Sequence, residues 1–315
     1  METVFRVGID LGGTFIKYGA VSADGSILSR GKVKTPRGCG YEQTLNAIAD
    51  AVRELSRAGS VQSVGIGAPG VIDGERGIVV VSGNLGWENK PLAGDLSALT
   101  GLPVSLANDA NAAAYGEYLC GAGKNYRSLV MVTLGTGVGS GIVFDGKLFE
   151  GNCGAGAEIG HTVIRAGGRK CACGRRGCLE AYASATALIS RTKSAMEKDK
   201  DSLMWKICEA ENADGKTAFE AMRAGDRTAK RVVNAYLRDL SEGLADIANA
   251  FRPEAILLGG GLSAEGEYLT APLQKLTDRM ILGGGAYAPV KIAAAKLGND
   301  AGLIGAALLG TKRED

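Results

Sequence analysis

The chain contains one histidine, His161, so any chemistry that needs imidazole must use this residue. It also lacks a charge imbalance: 36 Lys and Arg against 34 Asp and Glu leave a formal net charge of +2. That excludes the basic field by which proteins find nucleic acid or an anionic membrane surface. No stretch approaches the roughly 18 consecutive apolar residues of a membrane-spanning helix. The first residues, METVFRVGID, run directly into a strand pattern and show no secretory signal. Low-complexity repetition is absent. Seven cysteines, an odd number with no evident pairing, fit a reducing, cytoplasmic setting. Glycine, in contrast, is abundant: 48 residues, many in the short clusters that tight turns and phosphate loops require. With 45% hydrophobic and 22% charged residues over 315 positions, the composition is that of a soluble globular protein with room for two domains.

The densest chemistry lies in EIGHTVIRAGGRKCACGRRGCLE, residues 158–180. This stretch joins His161 to Cys171, Cys173 and Cys178, with Gly174 and Gly177 between the last two cysteines. Thiolates and imidazole are the ligands Zn²⁺ favours in a closed tetrahedron, and the glycines let so short a loop turn its sulfurs to one point. A disulfide across the single residue between Cys171 and Cys173 would be strained. Free, partly buried thiols are the plainer alternative. The expectation is a structural zinc site of His161, Cys171, Cys173 and Cys178, shaping a loop that carries Glu158, His161 and Glu180 towards a substrate.

The opening segment reads as a β-meander: the apolar run from Val4 to Asp10, the turn DLGGT, the strand FIKYGAV, the turn Asp24-Gly25 and the strand SILSRGKVKT. Gly12 and Gly13 let the backbone approach an anion, and Thr14 with its neighbouring N–H groups can donate to phosphate. Asp10 can hold Mg²⁺ directly or through water, and Lys17 joins this nucleotide-binding set. Taken alone, the motif is explained equally well as an ordinary hairpin turn. A helix is expected over 41–59, where Leu45, Ile48, Ala49, Val52 and Leu55 recur at three- and four-residue spacing. VQSVGIGAPGVID is a strand entering a Gly-Pro loop. In SGNLGWENKPL, Asn84, Trp87 and Asn89 either suit a sugar or make a plain surface loop. A short helix follows over 92–100. The strand LPVSLAND then ends in Asn108 and Asp109 before a helix, ANAAAYGEYLCGAG. Polar residues at the carboxyl end of such a strand face a cleft, unless Asp109 is only the helix N-cap.

SLVMVTLGTGVGSGIV, residues 128–143, repeats the order of the opening meander: apolar strand, Gly-Thr turn, apolar strand, then an Asp-Gly turn at 145–146. Unrelated hairpins do not predict a shared order. Two such units point to a duplicated domain, with Gly135, Thr136 and Gly137 gripping a nucleotide's phosphates from the side opposite Gly12–Thr14. Helices are expected over 181–195, 219–222 and 228–251. The last has an apolar stripe of Val233, Leu237, Leu240, Leu244, Ile247 and Phe251. The charge run at 198–201 reads as solvated surface. AILLGGGL is a buried strand breaking into Gly259, Gly260 and Gly261, which would let an adenosine ring lie against the backbone. A helix over 272–280, the strand VKIAAA and a terminal helix over 300–309, whose Gly/Ala face suits close packing, complete the chain.

The elements DLGGTFIKYGAV, GIGAPGVID, NLGW, NDANAAAYGE, TLGTGVGSGIV, AEIGH, CACGRRGCLE and LLGGGL, in this order, resemble the ROK family of bacterial sugar kinases, related open reading frames and xylose-type repressors. The likeness covers nearly the whole chain and is greatest to the family's ATP-dependent glucokinases. CxCGxxGCxE and AEIGH are specific to the family, whereas DLGGT and GTG are shared with the wider actin and hexokinase fold. The resemblance implies an actin-like, hexokinase-type ATPase fold: two α/β domains with a duplicated core around a central cleft. Residues 1–118 plus 296–315 would form the smaller domain and 119–295 the larger one with the zinc loop. It implies phosphorylation of the 6-hydroxyl of a hexose, glucose first, by ATP and Mg²⁺. Asp109 would be the catalytic base. Asn108, Glu158, His161 and Glu180 would bind sugar hydroxyls, with Asn84 and the Ala68-Pro69 loop nearby. His161 and the three cysteines would be the zinc set, and the protein a homodimer or homotetramer. Two departures stand out: Ser140 occupies a position where glycine is common, and 198–216 matches no motif.

The chemistry is consistent with this. Phosphoryl transfer needs a Mg²⁺–ATP cradle, an in-line hydroxyl and a base. With the one histidine committed to a metal, a carboxylate must serve, and Asp109 is best placed. His161 is expected to bind zinc through one ring nitrogen and sugar through the other. N-acetylmannosamine, N-acetylglucosamine, fructose, mannose and allose remain alternative substrates. Polyphosphate is disfavoured as donor because residues 259–261 suit a nucleoside. A DNA-binding repressor on the same core is disfavoured by the near-neutral charge and by a chain that starts at its first strand, with no room for a helix-turn-helix. A non-catalytic zinc module would use Arg169, Lys170, Arg175 and Arg176 as a basic patch, which reads more simply as a solvated rim.

Overall fold

The computed structural model describes residues 3–36, 38 and 40–311. Strands β1 (Val4–Leu11), β2 (Phe15–Val21) and β3 (Ile27–Lys34) form the expected antiparallel meander, with Asp10 opposite Lys17. Helix α1 (Tyr41–Ser56) turns Leu45, Ile48, Ala49, Val52 and Leu55 into the core. Burial contributes about 2 kcal/mol for each of the larger of these side chains. Strand β4 (Ser60–Ala68) runs parallel to β1. Next, β5 (Val71–Asp73), β6 (Ile78–Ser82) and β7 (Trp87–Lys90) make a separate antiparallel sheet. Part of the stretch that was expected either to suit a sugar or to be a plain surface loop is therefore strand. Trp87 is largely buried, edge-on to Tyr41 with ring centroids 5.0 Å apart. Helix α2 (Leu92–Thr100), strand β8 (Val104–Asn108), parallel to β4, and helix α3 (Asp109–Cys120) follow.

The second half opens with β9 (Ser128–Leu134), β10 (Val138–Phe144) and β11 (Lys147–Leu148). After the cysteine loop come α4 (Glu180–Ala183), α5 (Ala185–Lys198), α6 (Met204–Ile207), α7 (Thr217–Arg223) and α8 (Arg227–Phe251). Then β12 (Ala255–Gly259), α9 (Glu267–Thr277), β13 (Lys291–Ala294) and α10 (Ala301–Ala307) close the chain. The two five-stranded sheets have orders β3-β2-β1-β4-β8 and β11-β10-β9-β12-β13. Each is a meander extended by two strands that run parallel to its first strand or to each other. This is the duplicated core expected from the repeated motif order.

By packing, the chain forms two compact units. One holds Met1–Ser128, Gly141–Ala157 and Lys296–Asp315; the other holds Leu129–Ser140 and Glu158–Ala295. In the first, α10 lies so close to the sheet that a Cβ on Gly65 would sit 1.7 Å from the Ala306 carbonyl oxygen, and one on Gly8 2.1 Å from that of Leu303. The Gly/Ala face of the terminal helix is thus used for close packing, as expected.

Several expectations need correction. The helix expected over 181–195 is two helices, because Ser184 is extended (φ −68°, ψ 160°) and caps α5 by accepting the Ala187 N–H. The ninth helix begins at Glu267, after the left-handed turn of Gly266 (φ +56°), so Pro272 lies inside it. Phe251 ends the apolar stripe of α8 half-exposed at the helix terminus. Asp199, in the charge run read as solvated, accepts the Thr228 hydroxyl. The unassigned segment 198–216 contains α6 and is tied to the start of α8 by Asp226, which accepts N–H groups of Leu203 and Ala229. Among the described residues no helix is long and apolar enough to cross a membrane.

Candidate functional site

In the first unit, the β1–β2 turn brings Asp10 and Lys17 together, Nζ to Oδ2 at 2.8 Å. The other carboxylate oxygen of Asp10 has no hydrogen-bond partner among the described residues. The Gly12 N–H is spent on the Phe15 carbonyl at 3.0 Å, which closes the turn. Thr35, which the sequence did not single out, pins the turn from outside: its hydroxyl donates to the Gly12 carbonyl at 2.6 Å and its N–H to that of Thr14 at 3.0 Å.

At the end of β8 the capping residue is Asn108, not Asp109. Asn108 Oδ1 accepts the N–H groups of Ala110 and Asn111 at 2.9 and 3.3 Å, while its amide donates to Gly70 O at 3.0 Å. Asp109 is the exposed first residue of α3, with Oδ1 accepting the Ala110 N–H at 2.8 Å. Asn108 therefore couples the Asp109 backbone to the Ala68-Pro69-Gly70 turn. Ala68 and Pro69 are themselves buried, so the loop can offer backbone but not side chains. Asn84 is exposed and lines a separate groove of about 750 Å³ with Tyr41, Thr44 and Lys90.

In the second unit, the β9–β10 turn is held in a similar way. Its Gly135 N–H bonds to Gly137 O at 3.1 Å, and Gly135 O accepts the Ala185 N–H at 2.8 Å. The Thr186 hydroxyl donates to Thr136 O at 2.8 Å. Thr35 and Thr186 are thus equivalent staples, one for each turn. Glu180 accepts the Val138 N–H at 3.1 Å, and a Cβ on Gly137 would lie 2.4 Å from the same carboxylate oxygen. Gly137 therefore makes room for Glu180. Ser140, the departure from the family pattern, is buried and accepts the Ile159 N–H at 3.2 Å. It anchors the tight turn Ile159–His161 that follows Glu158. Gly160 in that turn is obligatory, since a Cβ there would meet Val138 O at 2.1 Å. Glu158 itself is exposed, after Ala157 in the left-handed region (φ +62°).

His161, Cys171, Cys173 and Cys178 converge, their donor atoms all within 4.8 Å of one another. Cys171 Sγ lies 3.7 Å from His161 Nδ1, and Cys173 Sγ lies 3.7 Å from Cys178 Sγ. Tetrahedral Zn²⁺ with ~2.3 Å Zn–S bonds sets its sulfurs about 3.8 Å apart, so the residues fit the ion. Burial pushes the Cys171 thiol up to about 12 and that of Cys178 up as well, whereas the Arg175 N–H lowers Cys173. A bound cation would keep the two raised thiols ionised. Cys171 Sγ also lies 3.4 Å from Glu180 Oε1, so one sulfur adjoins both His161 and Glu180.

The loop is braced from behind by residues the sequence did not reveal. Asp239, almost fully buried on α8, accepts both Arg165 and Arg191. Arg165 and Arg169 lie over the Tyr182 ring, and the Tyr182 hydroxyl accepts the Arg169 N–H at 2.7 Å. The one available signal was an acidic residue next to the apolar stripe of α8. The three glycines after β12 divide. A Cβ on Gly259 would meet Met131 Cε at 2.5 Å, and Gly260 (φ +80°) packs on the Leu134 backbone, so internal packing already requires both. A Cβ on Gly261 would meet nothing within 4 Å.

The chain matches the ROK family over residues 6–313. It is 41% identical over 311 residues to a glucokinase of Thermotoga maritima, covering 98% of this chain and 97% of that one. Among solved structures it is similar to a ROK family glucokinase from Streptomyces griseus in complex with glucose and AMPPNP. There the TM-score is 0.82 and the identity 39%, over 97% of this chain and 98% of the other. It is also similar to a ROK family transcriptional regulator, a homolog of the E. coli MLC protein, with TM-score 0.86 and 27% identity over 97% of this chain and 77% of that one.

Proposed function

The chain belongs to the ROK family and has the actin-like, hexokinase-type ATPase fold, and on that premise we propose that it transfers the terminal phosphoryl group of ATP to the 6-hydroxyl of glucose. The observation that carries this reading is the likeness, over 97% of the chain, to a glucokinase solved with glucose and AMPPNP.

In this reading the 6-hydroxyl oxygen attacks the γ-phosphorus in line, the bond from that phosphorus to the ADP oxygen breaks, and Asp109 takes the hydroxyl proton. The cap formed by Asn108 supports the role of Asp109, because it sets the first turn of α3 while leaving the aspartate exposed. Asn108 retains one amide N–H for a sugar oxygen. Glu158 and Glu180 accept from sugar hydroxyls. With Nδ1 of His161 turned to Cys171, its Nε2–H is left to donate to the sugar. Asp10, with one oxygen unengaged, would hold Mg²⁺, which neutralises phosphate charge when bound with ATP. Lys17, Gly12, Gly13 and Thr14, the turn Gly135–Thr136–Gly137, and Gly259, Gly260 and Gly261 line the nucleotide. His161, Cys171, Cys173 and Cys178 would hold Zn²⁺, which would supply no step and would only fix the ring of His161. The enzyme works in the cytoplasm as a homodimer or homotetramer.

A coupled ADP-release assay over glucose, mannose, fructose, allose, N-acetylglucosamine and N-acetylmannosamine tests the reading. The highest kcat/KM is expected with glucose; a higher value for an N-acetylhexosamine would reassign the substrate. The TM-score of 0.86 to a regulator favours a second reading, a sugar-responsive regulator. Absence of turnover with every sugar, together with sugar-dependent DNA binding, would establish it.

A further inference from the structure

A groove of about 1080 Å³ runs along α5 and α8, wholly within the second unit. Five cationic side chains line it: Arg169 and Lys170 from the cysteine loop, Arg191 and Lys198 from α5, and Arg231 from α8. Two carboxylates, Glu180 and Asp199, oppose them. Ser190, Ser194 and Lys198 are spaced four residues apart, so they share one face of α5 over about 12 Å. Their side chains make no hydrogen bond or ion pair among the described residues. Facing them, Arg231 donates to the Thr228 hydroxyl at 2.7 Å, and Thr228 in turn donates to Asp199. At the floor, Arg191 shares the buried Asp239 with Arg165, so two cations meet one carboxylate. Arg191 Nε is buried there without a partner. Native proteins rarely leave a buried donor unpaired.

The groove thus offers ammonium, guanidinium and hydroxyl donors in a row, with positive charge in excess. It has no aromatic side chain on which a base could stack, and Gly259, Gly260 and Gly261 do not line it. Such a lining selects a ligand with several acceptor oxygens and more than one negative charge. We propose that this groove binds a multivalent phosphate anion, an inorganic oligophosphate or a phosphorylated sugar, along the stretch of α5 and α8 that carries Ser190, Ser194, Lys198 and Arg231, adjoining the phosphoryl-transfer machinery rather than within it. One end of the groove reaches Thr136 and Glu180, so the bound anion lies near the second phosphate turn.

Calorimetric titration of the zinc-loaded full-length chain tests this, with Mg²⁺, glucose and AMPPNP at saturation so that the reaction site is filled. Tripolyphosphate and glucose 6-phosphate serve as separate probes. At least one should bind the wild type at one equivalent per chain. In Lys198→Ala/Arg231→Ala the Kd should rise about tenfold or more, since two charge-assisted contacts are lost. Both side chains are exposed and outside the reaction site, so turnover and thermal midpoint should stay at wild-type values. Binding of tripolyphosphate alone identifies an inorganic ligand; binding of glucose 6-phosphate identifies a sugar phosphate. If neither probe binds the wild type, or if the variant's Kd stays within threefold of it, the proposal is overturned. Binding is read directly, so a protein inactive as a glucokinase would still give a clear answer.

Discussion

Gly137→Ala separates the placement of Glu180 from the stability of the fold. Alanine's Cβ would lie 2.4 Å from Glu180 Oε2, whereas ordinary contact begins near 3.4 Å, so the carboxylate must retreat by about 1 Å. Gly137 does not have a positive φ, so alanine imposes no backbone strain there. The retreat breaks the 3.1 Å bond from the Val138 N–H. One such bond contributes about 1 kcal/mol, and for a chain of this size that lowers the thermal midpoint by about 2 °C. The effect on catalysis should be far larger. A 1 Å displacement of a substrate-positioning group costs on the order of 100-fold in rate, about 2.7 kcal/mol of barrier. The coupled kinase assay should therefore show kcat/KM for glucose falling about 100-fold in a protein that unfolds almost normally. The test of mechanism is a double-mutant cycle. If alanine acts through the carboxylate, adding it to Glu180→Ala causes no further loss. A kcat/KM within threefold of wild type would refute the reasoning. So would independent losses that add, with KM for ATP rising, since these would mean that Gly137 is needed by the phosphates rather than by Glu180.

Asp109→Asn should lower kcat by about 10³-fold while leaving KM for glucose within a few-fold; near-normal turnover would remove Asp109 from the base role. Cys178→Ser should abolish the single zinc per chain measured by atomic absorption and weaken glucose binding, and retention of zinc with unchanged affinity would contradict the four-ligand set. Zinc retention should also fall on acidification, because Cys171 and Cys178, whose thiols burial raises, take up protons as the metal leaves. Burial, then the charges of Asp73 and Glu75, raises the Glu150 carboxyl above its ordinary 4.5. Its contribution to stability is therefore fully present below 4.5 and is lost as pH rises through the folded-state value. Glu150→Gln should raise the thermal midpoint at pH 7 and change it little at pH 4; an unchanged midpoint at pH 7 would show that the acidic cluster is already relieved by solvent.

What could be read from the chain were features whose cause is local. The stripe of α1 and the paired hairpins follow from periodicity and turn chemistry within about ten residues. The cysteine cluster is also local, and its ligand atoms do converge. What escaped depends on distant contacts. Thr35, Ser140 and Thr186 act on backbone atoms 23, 19 and 50 residues away, with no sequence pattern to announce it. The break at Ser184 lies in an alanine-rich stretch whose periodicity does not change there. Glycine misled in a particular way. It signals that something comes close without saying what: at Gly259 the neighbour is Met131, and at Gly137 it is the Glu180 carboxylate.

That ambiguity bears on how a metal held by His161 and the three cysteines would matter to chemistry in which it takes no part. Cys171 Sγ adjoins His161 Nδ1 and Glu180 Oε1, and the other oxygen of Glu180 holds the Val138 N–H beside the second phosphate turn. From the other side, Ser140 on the same hairpin holds the Ile159 N–H, at the start of the turn that carries His161. The β9–β10 hairpin and the cysteine loop are therefore joined at two points, one through a carboxylate and one through a hydroxyl. A shift of the cysteine loop moves both His161 and Glu180, whereas loss of the Ser140 hydroxyl releases the Ile159 N–H at the start of the turn bearing His161. Loss of a metal bound there should therefore be felt at both His161 and Glu180, and loss of the Ser140 hydroxyl first at the turn that carries His161.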